Sequence, residues 1–486
     1  MHKIPRCMST QHPDNVNPPF FSNAPELGGD DEIQEAYYVF SHLQCDEQMW
    51  DCEGKEVDNF VVKKLLSRYD EYFRENVIGE NVFITFRVPN PQLEKTEAKI
   101  LLETLESIPR SFDTASTFYG RDVVPIFEVI LPMTTSSQEL DNIFSYYREY
   151  VAGKQNKMVG RSVAIKDWIG EFHPDEINII PLVEDYEHIL NVDSIVGGYL
   201  EGKQIDEQRV FLARSDPAMN YGFFSAIILT KIALHRLRAL SKESGVRLHP
   251  IIGVGTAPFR GNLSPYNVEK FADEYPSLRT FTLQSAFKYD YPPKDVEDAI
   301  QKLHDTPVKN PRFVDEEAGI NFIKRYSEQY RKEVMVLAPL INRMSKFIPA
   351  RRMRKLHISL FGYSRNMGGI SLPRAIAFTA SLYSIGLPPE LIGIQSLDAG
   401  DVDVVRRIHY NFDDTLSTAL SYYNPASSEI TGIDLSSKIE MLDVAYEPNE
   451  EHMAYTGSIL ECIKKNQMEP VERLCLQAAH VRKFLG

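Results

Sequence analysis

Cysteine is scarce in this 486-residue chain, with five residues, and tryptophan scarcer still, with two. Cys7, Cys45, Cys52, Cys462 and Cys475 are odd in number and scattered, which excludes a disulfide framework and suits a reducing compartment. His42 lies near Cys45 and Cys52, but the spacing matches no zinc pattern and no second ligand pair follows. Basic residues are outnumbered as well: 53 Lys and Arg against 68 Asp and Glu leave a net charge of −15. Phosphate backbones reward surplus cations, so a general nucleic-acid binder is excluded. Long apolar runs are missing too. The most membrane-like stretch, residues 375–394, is broken by Gly386, Pro388 and Pro389 and carries Glu390, whereas a span needs about 20 unbroken apolar residues. Residues 1–15 have no apolar core of the signal-peptide kind. The expectation is a cytoplasmic protein with neither a membrane nor a nucleic-acid partner.

What is present is globular in kind, with 43% apolar and 25% charged residues. The first thirty residues, rich in Pro, Asn and Gly, predict an extended arm, followed by helices near residues 31–43 and 57–76. From there apolar strands alternate with amphipathic helices. The predicted strands are 82–88, 123–133, 177–184, 209–216, 249–255, 279–286, 355–362 and 392–397. Strands separated by helices pair in parallel, and eight such units predict an α/β fold, a (β/α)₈ TIM-type barrel, with a doubly wound sheet as the competing arrangement. The helical run at 316–352 predicts an insertion between strands six and seven, and the chain after Asp398 is helical again. One catalytic domain results: an arm with helices over 1–80, the barrel over 81–398 with an insertion at about 305–353, and a helical region over 399–486.

Several predicted strands end on charged residues. Arg87, Glu184 and Asp216 end strands one, three and four, and Arg260 and Arg365 follow strands five and seven. Carboxyl ends of barrel strands are where all eight loops converge and where such enzymes place their chemistry. Two carboxylates on adjacent strands, Glu184 and Asp216, suit one hard cation such as Mg²⁺, which takes one or two carboxylates plus substrate oxygens and water. Arg87, Arg260, Arg365 and Arg374 would surround it, and guanidinium groups grip carboxylate and phosphate bidentately. A dinucleotide fingerprint beginning at Gly253 fails, because its third glycine falls at Pro258. No phosphate loop of the Gly-x-x-x-x-Gly-Lys-Ser/Thr kind is present. Surface capping of helices and salt bridging stand as the bland alternatives for each of these residues.

Read in order, these segments resemble phosphoenolpyruvate carboxylase. Thr-Gln-His-Pro at His12 resembles the family's Thr-x-His-Pro motif, and Pro-Leu-Val-Glu at Glu184 its Pro-Leu-Phe-Glu strand end. Ser-Asp-Pro-Ala-Met-Asn-Tyr-Gly at Asp216 is similar to Ser-Asp-Ser-x-Lys-Asp-Ala-Gly, with Met219 in place of the lysine. Phe-Arg-Gly-Asn at Arg260 stands where the large enzymes carry a mobile Gly-Arg-Gly-Gly loop. Tyr-Ser-Arg-Asn at Arg365 and Leu-Pro-Arg-Ala-Ile-Ala-Phe at Arg374 resemble two further family segments. The opening Ile-Pro-Arg-Cys-Met-Ser-Thr-Gln-His-Pro-Asp-Asn and the short chain resemble the archaeal-type enzymes.

The resemblance implies the joining of phosphoenolpyruvate and bicarbonate into oxaloacetate and phosphate. It implies Mg²⁺ (or Mn²⁺) on Glu184 and Asp216, catalytic roles for His12 and Arg260, substrate binding by Arg87, Arg365 and Arg374, and a homotetramer. Two alternatives stand beside it: another Mg²⁺-dependent barrel enzyme acting on phosphoenolpyruvate or pyruvate enolate, and a catalytically dead sensor on the same fold.

Overall fold

Alternation along each strand decides what faces the middle of this molecule. Along Glu207–Ala213, Arg209, Phe211 and Ala213 share one face while Val210 and Leu212 share the other. Phe211 and Ala213 join Met8, Met49, Ile130, Ile180, Leu182 and Ile251 in one buried cluster; Val210 and Leu212 belong to a second, larger core that includes helix residues. The first cluster fills the inside of a barrel, and the second glues helices to its outside. The computed structural model describes residues 3–52, 58–95, 97–353, 365–367 and 370–486.

Eight strands close that barrel: β1 (Cys7–Ser9), β2 (Glu47–Asp51), β3 (Phe83–Arg87), β4 (Glu128–Leu131), β5 (Asn178–Val183), β6 (Glu207–Ala213), β7 (Arg247–Gly253) and β8 (Thr280–Leu283). Every neighbouring pair is parallel, and β1 completes the ring between β8 and β2. The (β/α)₈ barrel expected from the sequence is therefore the observed fold, but its membership differs. β1 and β2 lie in the segments read as an arm and helices. Residues 392–397, expected as the last strand, form a buried turn with a short 3₁₀ helix at Ile394–Ser396. The expected strand at 355–362 lies outside the described residues. All eight strands precede residue 284, so the helices from Pro293 onward follow the barrel and do not interrupt it. The barrel thus begins at residue 7, not 81, and the helical segment at 305–353 is an addition after closure.

Inside, the barrel is layered. Below the apolar cluster, Arg209 of β6 forks onto Glu47 of β2 at 2.8 and 2.6 Å and reaches Glu128 of β4 at 3.1 Å. Thr85 of β3 also donates to Glu47. Burial pushes the Glu128 carboxyl above the usual carboxylate range, against the pull of Arg209, with the Glu47 charge adding to the rise.

Outside, the long helices Phe223–Ser244 and Glu316–Met344 pack through Phe224, Phe322 and Tyr326. Gly222, at φ +91°, joins the first of them to the short helix Ser215–Tyr221; a Cβ there would stand 2.6 Å from the Tyr326 ring, so only glycine fits. The stretch 375–394 becomes a buried helix and a turn, and no single helix among the described residues is long and apolar enough to cross a membrane. Helices from Ala399 onward cover one side of the barrel, and the final residues thread back to it. Leu485 donates its amide to the Asp14 carbonyl at 2.7 Å, with Phe484 and Leu485 buried.

Candidate active site

Glu184 is the residue immediately after β5, on the same inward face as Leu182. Its carboxylate accepts the Met133 amide at 2.8 Å and is mostly buried. Asp216 lies in the first turn of the helix that follows β6. β5 and β6 are hydrogen-bonded neighbours with Val183 opposite Leu212, so the two acids stand at the ends of adjacent strands. Arg87 ends β3 and forks onto Asp51 at the end of β2, with Nε–Oδ1 3.0 Å and Nη2–Oδ2 2.8 Å. That fork fixes the guanidinium, and Arg87 lines the cavity described below.

His12 follows the end of β1 by three residues, so it belongs to a strand-end loop like the others and not to a detached arm. Its Nδ1 lies 2.9 Å from the Thr10 hydroxyl, and its carbonyl accepts the Ser285 amide. Arg260 sits in a 3₁₀ turn, Pro258–Arg260, and is almost completely buried. It donates to Ser215 Oγ at 3.1 Å, Asp14 Oδ2 at 3.3 Å, the Gly486 carbonyl at 2.7 Å and Gln284 Oε1 at 2.6 Å. Arg374 is the exposed residue preceding the helix Ala375–Ser384. Arg365 opens a short strand paired antiparallel with Ile370–Leu372, and its side chain lies outside the described residues.

His12, Arg87, Glu184, Asp216, Arg260 and Arg374 all line one cavity of about 390 Å³ at the carboxyl ends of the strands. Six residues drawn from segments as far apart as 12 and 374 converge there.

The same cavity has walls that sequence reasoning missed. Arg351 donates Nε to the Val16 carbonyl at 3.0 Å and lines the cavity. Arg352 is buried against Glu32 and Glu35. Burial alone would push the Glu35 carboxyl up, but Arg352 and Lys288 beside it hold it well below the usual carboxylate range. Leu485, from the far end of the chain, closes part of the wall. Adjacent arginines at 351 and 352 were visible in the sequence, but nothing there marked them as more than the end of a helical run. Met219 is fully buried in the outer core with its carbonyl accepting Tyr330 Oη at 2.9 Å, so it contributes no polar group to the cavity.

The donor set suits a hard cation. Glu184 and Asp216 are oxygen donors, Ser215 beside them carries a hydroxyl, and among the described residues no cysteine or second histidine lines the cavity. Among the described residues no group of three or more His, Cys, Asp and Glu forms a closed cage. An open pair of carboxylates is what Mg²⁺ uses when substrate oxygens and water complete its shell.

The fold is a closed (β/α)₈ barrel with its candidate site at the carboxyl ends of the strands, and the relatives it matches make the chain an enzyme of the lyase class. Residues 4–486 match the family described as phosphoenolpyruvate carboxylase. The phosphoenolpyruvate carboxylase of Methanothermobacter thermautotrophicus is 57% identical over 484 residues, covering 100% of both chains. Those of Methanospirillum hungatei and Pyrococcus abyssi are 53% and 51% identical, covering 100% and 99% of this chain and 100% of each relative. Among solved structures, an aldolase/citrate lyase family protein from Burkholderia cenocepacia overlaps 62% of this chain and 92% of its own at TM-score 0.32 and 12% identity, too distant to bear on the site. The chain belongs to the phosphoenolpyruvate carboxylase family, in its archaeal form.

Proposed function

We propose that the cavity carboxylates phosphoenolpyruvate with bicarbonate, giving oxaloacetate and phosphate. The observation that carries this reading is the convergence of His12, two carboxylates and several arginines on one cavity in a chain of this family. The substrate is a phosphate ester with a carboxylate, and it needs cations on both ends. Arg374 and Arg365 are assigned to phosphoenolpyruvate, with Arg87 held by Asp51 as a preoriented third fork. Arg351, which lines the cavity, supplies the cation that Met219 does not.

Glu184 and Asp216 would hold Mg²⁺, or Mn²⁺ in its place, which when bound neutralises charge developing on substrate oxygens as a Lewis acid. In the first stage bicarbonate takes the phosphoryl group, leaving pyruvate enolate and carboxyphosphate. Arginines facing the cavity stabilise the phosphoryl charge in transit. Arg260, locked by four partners, positions the wall beside Ser215 and Asp216. In the second stage carboxyphosphate yields CO₂ and phosphate, with His12 as the general base, and the enolate methylene carbon attacks the CO₂. Leu485 and Ile376 line the cavity with apolar surface and help keep water from quenching the enolate to pyruvate. On this reading the whole chain is one catalytic unit, cytoplasmic, and assembles as a homotetramer.

The test is a coupled assay with malate dehydrogenase, following NADH oxidation with bicarbonate present and withheld. Bicarbonate-dependent oxidation supports carboxylation. Phosphate release that ignores bicarbonate would move the reading to another phosphoenolpyruvate enzyme. Light scattering checks the tetramer.

A further inference from the structure

On the far side of the Arg260 turn lies a second, smaller cavity, of about 140 Å³. Its walls come from the end of β6, the turn Pro258–Gly261, the helix Val268–Glu274 and the C-terminal helix Phe412–Leu420. Arg214 lines it. Alternation explains why: Ala213 faces the barrel interior, so Arg214 turns outward into the layer between barrel and helices. The residue is 2% exposed, and its Nε and Nη1 are buried with no hydrogen-bond partner.

An arginine stays charged under all ordinary conditions, and an isolated charge away from water is among the costliest things a core can hold. Glu274, which lines the same cavity, makes no hydrogen bond to it. Glu274 is already shared among Lys231 Nζ at 2.6 Å, His409 Nδ1 at 3.3 Å and the Tyr410 and Asn411 amides at 3.2 and 2.6 Å. Asp414, toward the mouth, is exposed and takes Lys270 at 2.9 Å on both oxygens. Lys231 and Glu274 cancel, Lys270 and Asp414 cancel, and the Arg214 charge remains over.

We propose that this cavity is a second anion site, in which Arg214 binds a small oxyanion such as sulfate, phosphate or a carboxylate. Asn262 and Thr415 line the same space with hydrogen-bonding side chains, beside Asn267 whose amide is held by Ser264 and Asn262, and its volume exceeds the roughly 30 Å³ of one water several-fold. An anion there would tie the Arg260 turn to the C-terminal helices, because both form its walls. Arg214 also directly precedes Ser215, whose hydroxyl accepts from Arg260 Nε. The bound anion therefore braces the active-site wall from behind, without touching the active-site cavity itself.

The probe is radiolabelled sulfate in equilibrium dialysis with the full chain, compared across wild type, Arg214→Met and Thr418→Phe. Methionine keeps the length of the arginine stem without its charge. Phenylalanine at 418, on the cavity wall, fills the cavity and leaves Arg214 in place. Either folded variant should bind one sulfate fewer per chain than wild type. In sulfate-free buffer Arg214→Met should unfold at a temperature no lower than wild type, because no hydrogen bond is lost, and added sulfate should stabilise it less. Equal sulfate stoichiometry in wild type and both variants overturns the proposal. So does loss of a sulfate that comes together with loss of phosphoenolpyruvate binding, since that sulfate would have been in the active site. Sulfate counting needs no turnover, so failure of the carboxylase reading would leave this result standing.

Discussion

Two levels of one barrel set arginines against carboxylates, and they end differently. In the lower level Arg209, Glu47, Glu128 and Thr85 bind one another beneath the apolar layer, with Thr280 and Asn178 as further strand-borne partners. In the upper level Arg87 is matched to Asp51, while Glu184, Asp216, Arg351 and Arg374 face a cavity of about 390 Å³. The same residue types serve both. A buried ion set sealed under apolar side chains has nothing to meet and is spent on holding strands in register. An ion set around open space keeps part of its capacity for a ligand. Charge in a barrel core is thus not evidence of function; charge in a barrel core with room above it is.

The largest effect that would sharpen this contrast comes from the upper acids. Glu184→Gln or Asp216→Asn should lower carboxylation by about 10³-fold, the several kcal/mol a metal contributes, while the thermal midpoint stays near wild type. Near-normal turnover at low Mg²⁺ in either variant would remove that acid from the proposed metal site.

His12→Asn should cost about 10²-fold or more in oxaloacetate formation. If the arginines and acids still support phosphoryl transfer, phosphoenolpyruvate consumption continues and pyruvate appears instead. Lactate and malate dehydrogenase couplings run side by side report the ratio, and wild-type oxaloacetate output would take His12 out of the mechanism.

The lower level should respond in the opposite way. Arg209→Met leaves Glu47 and Glu128 buried without their cation and should cost about 3–5 kcal/mol in urea unfolding. Turnover per folded molecule should be close to wild type. A variant that is stable but inactive would erase the distinction between the two levels.

The smallest expected effect lies in the network beneath the cavity wall. Glu35 has its folded pKa held below the usual value of 4.5 by Arg352 and Lys288, so it binds a proton more readily unfolded than folded. Its contribution to stability is complete above the usual carboxylate range and is lost as pH falls through and below it. Urea midpoints measured from about pH 6 to 3 should therefore drop less steeply in Glu35→Gln than in wild type. Parallel slopes would mean that Glu35 is not held charged.

How much of this was legible depends on what each strand buries. β5, β6 and the second half of β7 carry unbroken apolar stretches, and each was found from the sequence. β1 and β2 were not. Glu-Gln-Met-Trp-Asp turns Glu47, Met49 and Asp51 inward and Gln48 and Trp50 outward, and all five are buried, so polar residues sit on both buried faces and no apolar pattern marks the strand. At three residues, β1 is too short to show any pattern. The apolar run at 392–397 failed in the other direction: it is buried, yet no strand edge was left for it once the barrel had closed.

The sequence by itself determined the class of fold, through parallel strands separated by amphipathic helices. It also marked His12, Arg87, Glu184, Asp216, Arg260 and Arg374, because polar residues that end apolar strands, or repeat a family's motifs in order, stand out along a chain. Only the tertiary structure decided that these residues share one cavity and that His12 follows a barrel strand. It alone showed that Arg260 is fully engaged, that Arg351 joins the site, and that Arg214 Nε and Nη1 are buried behind it without hydrogen bonds. Periodicity reports which way a side chain points relative to its own strand. Whether a charge is answered depends on groups hundreds of residues away, brought within about 3 Å only when the ring of strands closes.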